Sequence, residues 1–118
     1  MSKLLIVDDE VAILEAFTDI LSVEGYEVST AANGAEGLAK VGKEPPDLIL
    51  LDLMMPVMDG QEMLRRLKED PALQVIPVVV MSAGRVTKSE LHGSRFLAKP
   101  FELDDLLDTV SAELGKSA

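Results

Sequence analysis

Leu48-Ile49-Leu50-Leu51-Asp52 is an unbroken apolar run closed by an acid, and Leu4-Leu5-Ile6-Val7-Asp8-Asp9 shows the same pattern earlier in the chain. Apolar runs this short, with no polar alternation, read as strands buried on both faces, the habit of a parallel sheet covered by helices. The carboxyl ends of such strands share one edge, and ligands of open α/β sheets bind there. Asp8, Asp9 and Asp52 are therefore expected to converge. Two further strands end in polar residues suited to the same edge: residues 77–81 lead into Ser82-Ala83, and residues 95–98 lead into Lys99-Pro100.

The rest of the chain fits around these runs. Strands are expected at 3–8, 26–31, 47–51, 77–81 and 95–98. A helix is expected over about 10–24, where Ile13, Phe17, Ile20 and Leu21 fall on one face and Gly25 closes it. Asn33-Gly34 is a turn signal before a weakly apolar helix at 35–43, and Pro45-Pro46 bars its continuation. Asp59 is suited to cap a helix over about 60–69, with Met63, Leu64 and Leu67 as its buried stripe, and Pro71 ends it. The last helix, about 103–114, aligns Leu103, Leu106, Leu107, Val110 and Leu114. Strand alternating with helix means βαβ units and an α/β fold.

Composition removes several classes of function. At 118 residues and 47% apolar the chain has enough material for one packed core, and residues 1–118 are expected to form one domain without linker or repeat. A net charge of −10, from 21 acids against 11 bases, argues against direct nucleic-acid binding and against an anionic membrane surface. Cysteine is absent, so disulfides and thiolate metal sites are excluded. No apolar run has the length of a membrane span or a signal-peptide core, and a cytoplasmic location is expected.

The chemistry follows from the clustered acids. Carboxylates held together repel, and a divalent cation relieves the repulsion. Mg²⁺ prefers oxygen donors and is commonly held by one or two carboxylates plus a phosphate oxygen. A carboxylate can also attack phosphorus and form an aspartyl phosphate, with the cation and a fixed lysine stabilising the phosphoryl oxygens. The Ser82 hydroxyl is placed to donate to such an oxygen, and the small Ala83 beside it leaves room. A cis peptide before Pro100 would fix the direction of the Lys99 ammonium.

Taken together, Val7-Asp8-Asp9-Glu10, Asp52-Leu53-Met54-Met55-Pro56-Val57-Met58-Asp59-Gly60, Met81-Ser82-Ala83 and Lys99-Pro100-Phe101 resemble a response-regulator receiver domain of two-component signalling. The resemblance covers essentially the whole chain in order. It implies a flavodoxin-like, CheY-like doubly wound sheet of five parallel strands, order 2-1-3-4-5, with five helices. It also implies that Asp52 accepts a phosphoryl group from a histidine kinase or histidine phosphotransfer protein. Asp9 and Asp52 would bind Mg²⁺ directly, the backbone carbonyl of Met54 would be a third ligand, and Asp8 would act through water. Lys99 would pair with the phosphoryl group, Ser82 would be the switch hydroxyl, and Phe96 the rotating aromatic that reports the state to an unidentified downstream protein. The chain would act as a monomer or weak dimer, an enzyme only toward its own phosphorylation and dephosphorylation.

Other readings compete at single positions. Met54, Met55 and Met58 suggest a soft metal, but no Cys or His lies near them, and loop packing is the better account. His92, the sole histidine, stands in a polar stretch and reads as solvated. Asp52 also resembles the nucleophile of haloacid-dehalogenase-like Mg²⁺ phosphatases, but the second acid of that motif is replaced by Met54. Residues 115–118 suit a linker as well as a terminus, so a receiver excised from a longer regulator or hybrid kinase is a rival arrangement. A binding module without phosphorylation is the remaining one. Lys99 follows Ser82 by 17 positions, several fewer than is usual in receivers. The shortfall falls on the fourth helix, for which residues 86–91 leave room for a turn or two.

Overall fold

The computed structural model describes residues 2–53, 55 and 58–117. Its elements alternate along the chain: β1 (Lys3–Val7), α1 (Val11–Val23), β2 (Glu27–Ala31), α2 (Gly34–Lys43), β3 (Leu48–Asp52), α3 (Gly60–Glu69), β4 (Val78–Ser82), α4 (Lys88–Leu91), β5 (Arg95–Ala98) and α5 (Leu103–Ser117). The strands form one parallel sheet in the order β2-β1-β3-β4-β5. Every expected strand and helix is present, and the order implied by the resemblance is the order observed.

The apolar runs behave as a two-faced sheet requires. Leu5, Val7, Ile49, Leu51, Val78 and Val80 point into the core under α2 and α3, with Val41, Met63, Leu64 and Leu67. Their neighbours Leu4, Ile6, Leu48, Leu50, Val79 and Met81 point into the opposite core under α1 and α5, with Leu14, Leu21, Leu106 and Val110. All five residues of β3 and of β4 are buried. The edge strand β2 alternates instead, exposing Glu27, Ser29 being likewise open to solvent. Aromatic packing is confined to a tilted Phe17–Phe101 pair, with ring centroids 5.8 Å apart.

Boundaries shifted by a residue or so from the sequence expectation. β3 runs to Asp52 rather than Leu51, because Asp52 is still in register with Met81 of β4. β4 begins at Val78 rather than Pro77 and ends on Ser82, which pairs with Ala98. β1 stops at Val7, so Asp8 is the first residue beyond it. α5 extends three residues past its expected end, to Ser117. Glu10, at the N-cap of α1, makes no side-chain capping bond.

α2 and α3 carry the caps that α1 lacks. The Asn33 side chain accepts from the Glu36 N–H at 2.9 Å, and the Asp59 side chain accepts from the Glu62 N–H at 2.9 Å. Each satisfies a donor that a helix start otherwise leaves open. Asn33→Ala is expected to lower unfolding free energy by about 1 kcal/mol, read as a lower urea midpoint at unchanged slope.

α4 is as short as the chain length demands, four residues with none buried. Thr87 and Glu90 cap each other's backbone in a capping box. The Gln61 side chain, in the first turn of α3, donates to Glu90 Oε2 at 2.7 Å. His92 closes the turn in the left-handed conformation, φ 48°, with its side chain exposed.

Candidate functional site

The carboxyl edge of the sheet collects the acids. The Asp8 N–H still donates to Ala31 O at 3.1 Å, continuing the β1–β2 ladder one residue further. That bond, with burial of the side chain to 0% exposure, fixes the carboxylate beneath the edge. Asp8 Oδ1 accepts from the Glu10 N–H at 2.9 Å, and Oδ2 accepts from Lys99 Nζ at 3.3 Å. Asp9, next along, is exposed. Asp52 is 5% exposed and lies 3.5 Å from Lys99 Nζ through Oδ1. Carboxylate oxygens of Asp8, Asp9 and Asp52 all lie within 4.8 Å of one another.

This arrangement places three acids against one ammonium. Buried charges are tolerated when paired, and here Lys99 pairs two of the three at once. The donor set consists of hard oxygens, with no imidazole or thiolate within it. Such a set suits Mg²⁺ or a similar hard cation, for which it supplies the matching negative charge.

Ser82 and Lys99 are brought alongside by the sheet itself. The Lys99 N–H donates to Ser82 O at 2.9 Å, extending the β4–β5 ladder past its last paired residues. Ser82 is 3% exposed, and its Oγ accepts from the Gly84 N–H at 3.1 Å. The Lys99–Pro100 peptide is cis, as the sequence suggested. Phe96 is not among the clustered groups. It pairs with Val80 on β5 and packs half-buried against the core under α3, beside Val86 and Leu91. Met54, the expected carbonyl ligand, lies outside the described residues.

Some contacts around the site were not legible beforehand. Gly60 sits directly beneath the phosphoacceptor strand: a Cβ there would collide with Asp52 O and stand 2.7 Å from Leu53 Cα. Its N–H donates to Leu53 O at 3.1 Å, closing the loop after β3. Gly34 makes a similar approach, donating to Met58 O at 2.9 Å, with Met58 Cγ 2.8 Å from where its Cβ would be. Asp59-Gly60 and Asn33-Gly34 were visible as helix-entry and turn signals. Nothing local in them said that a backbone from elsewhere would press against each glycine.

Comparison with known proteins agrees with the geometry. The model of the response regulator receiver domain family matches residues 4–111. The chain is 42% identical over 111 residues to the response regulator PleD of Caulobacter vibrioides, covering 90% of the chain and 24% of PleD. It therefore spans about a quarter of that relative's length. It is 40% identical over 117 residues to sporulation initiation phosphotransferase F of Bacillus subtilis, covering 95% of the chain and 93% of that protein. Among solved structures, a CheY-like response regulator receiver domain protein from Methanospirillum hungatei superposes with a TM-score of 0.89 at 32% identity, over 99% of this chain and 96% of the other.

Proposed function

The chain belongs to the response regulator receiver domain family of two-component systems, and from that premise we propose that Asp52 is its phosphoacceptor. The observation that carries this reading is the meeting of Asp8, Asp9 and Asp52 within 4.8 Å, with Lys99 reaching both Asp8 and Asp52. A carboxylate oxygen of Asp52 attacks the phosphorus of a phosphohistidine on a histidine kinase or histidine phosphotransfer protein. The new P–O bond forms as the P–N bond breaks, and the electron pair returns to the imidazole nitrogen. Residues 1–118 act in this as one receiver domain.

Asp9 and Asp52 are the residues that would hold Mg²⁺ directly, with the Met54 carbonyl beside them and Asp8 through water. When bound, the cation offsets negative charge on the phosphoryl oxygens. Lys99 does the same from the opposite strand end, already held in place by its ladder bond to Ser82. Ser82 reaches the phosphoryl group only by releasing the Gly84 N–H, so phosphorylation rebuilds the loop after β4. That rearrangement, with rotation of Phe96, is the output to a downstream protein. The phosphorylation chemistry is confined to the chain itself. The second acid that a phosphatase of the haloacid-dehalogenase type needs is Met54 here. Among the described residues no helix is long and apolar enough to cross a membrane. We place the chain in the cytoplasm, as a monomer or weak dimer.

Intact mass after incubation with acetyl phosphate tests the reading. A gain of one phosphoryl group that requires Mg²⁺ is expected; a folded chain that never gains it would turn the reading toward an unphosphorylated binding module. Metal binding has its own readout. Mg²⁺ at 100 times its Kd is expected to add about 2.7 kcal/mol to unfolding free energy, visible as a raised Tm. Asp9→Asn is expected to remove most of that increment while leaving the metal-free Tm close to its original value, since Asp9 is exposed.

A further inference from the structure

The opposite end of the sheet holds a second group of polar side chains that the phosphoryl site does not use. A cavity of about 370 Å³ opens at the amino ends of β4 and β5, between the last turn of α3 and α5, and its lining includes Lys68, Ser94, Arg95 and Glu113. α4 stops at Leu91, and the two residues before β5, Gly93 and Ser94, form part of the cavity wall.

Three features of this wall call for a ligand. Ser94 Oγ is buried and has no hydrogen-bond partner among the described residues. Buried hydroxyls are ordinarily satisfied, and one that is not lowers stability until something pairs with it. Lys68 is half-buried and takes part in no ion pair among the described residues. Burial pulls its ammonium below the usual lysine range, with no acid offsetting that effect. Arg95 reaches Glu113 only at 3.6 Å through Nη1, which leaves most of its five N–H donors for another acceptor.

We infer that this cavity binds a small oxyanion, a phosphate or carboxylate group, with Lys68 and Arg95 supplying charge and the Ser94 hydroxyl a hydrogen bond. Glu113 keeps Arg95 oriented and limits the positive charge on offer. With a net charge of −10 over the whole chain, a polyanion is repelled while a compact anion can enter. The site lies at the far end of the strands from Asp52, so it is independent of the phosphoacceptor reading.

The test is a ¹H–¹⁵N NMR titration of the whole chain with inorganic phosphate in one arm and acetate in the other, each against sodium chloride at matched ionic strength. EDTA is present throughout so that no metal recruits anions to the acidic edge. Saturable shifts at the amides of Gly93, Ser94 and Arg95 are expected, and the arm that saturates at lower concentration assigns the ligand as phosphate or carboxylate. Lys68→Met and Ser94→Ala are each expected to weaken binding about tenfold, the loss of one charge-assisted or strongly held hydrogen bond. Ser94→Ala is also a control for folding: it deletes an unpaired hydroxyl and should leave Tm equal or higher. Shifts no larger than those in chloride, or shifts confined to residues near Asp8 and Lys99, would overturn the inference. So would unchanged affinity in both variants.

Discussion

Asp52→Asn is expected to leave the chain folded and unable to gain a phosphoryl group, with the mass adduct reduced roughly 10³-fold or more relative to wild type, the scale on which loss of a catalytic nucleophile is felt. The substitution is close to isosteric, so the strand end keeps its shape. What changes is the nucleophile: an amide oxygen neither carries the negative charge that attacks phosphorus nor forms a stable acyl phosphate. Folding should survive because Lys99 retains Asp8 at 3.3 Å, and the removed acid stood among others of like charge. The comparison is read by intact mass after equal exposure to acetyl phosphate and Mg²⁺. An adduct of undiminished yield on the variant would move the acceptor to Asp8, Asp9 or elsewhere and refute the assignment.

The second large effect is structural and comes from Gly60→Ala. Its added Cβ meets two backbones, Asp52 O and Leu53 Cα, and backbone cannot step aside as the end of a side chain can. A cost of about 3 kcal/mol in unfolding free energy is expected, the upper end of ordinary overpacking. Gly42→Ala is the matched control. It lies inside α2 with open space where its Cβ would be, and there alanine should stabilise by up to about 1 kcal/mol. Urea denaturation of the two variants beside wild type separates these outcomes. If both behaved as the control does, the loop after β3 would be able to move off Gly60, and the tight seat of Asp52 would not be a constraint. Because the obstructed atoms belong to Asp52 and its neighbour, Gly60→Ala should also reduce the rate of phosphoryl uptake by whatever fraction stays folded.

The core of the fold was legible because its signals are local. Leu48 to Leu51 carry the same message at every residue, and both faces of β3 prove buried. The acids were legible for a related reason: each follows directly on such a run, and a parallel sheet makes sequence position at a strand end equivalent to position along one edge. Element ends were less certain by a residue or so. Asp52 has weak strand propensity, yet pairing with Met81 keeps it in β3, a choice made by the neighbouring strand. The contacts that set the loops stayed hidden because they join distant segments. Gly34 against Met58, Gly60 against Asp52 and Gln61 against Glu90 depend on where whole elements come to rest. The orphaned hydroxyl of Ser94 was equally invisible, since a serine before a short strand has no pattern that distinguishes a satisfied hydroxyl from an unsatisfied one.

The four-residue α4 has a thermodynamic meaning of its own. With no buried residue, it is ordered by its capping box and by the single bond from Gln61 rather than by removal of apolar surface from water. A segment held in this way opens in small excursions that leave the sheet intact, whereas the amides of β1, β3 and β4 are freed only when the whole molecule unfolds. Residues 88–91 thus form the least cooperative part of the fold, coupled to α3 at one point. Work done at the phosphoryl site is transmitted to this segment against a small restoring free energy, so a modest displacement there is enough to shift its population between ordered and open forms.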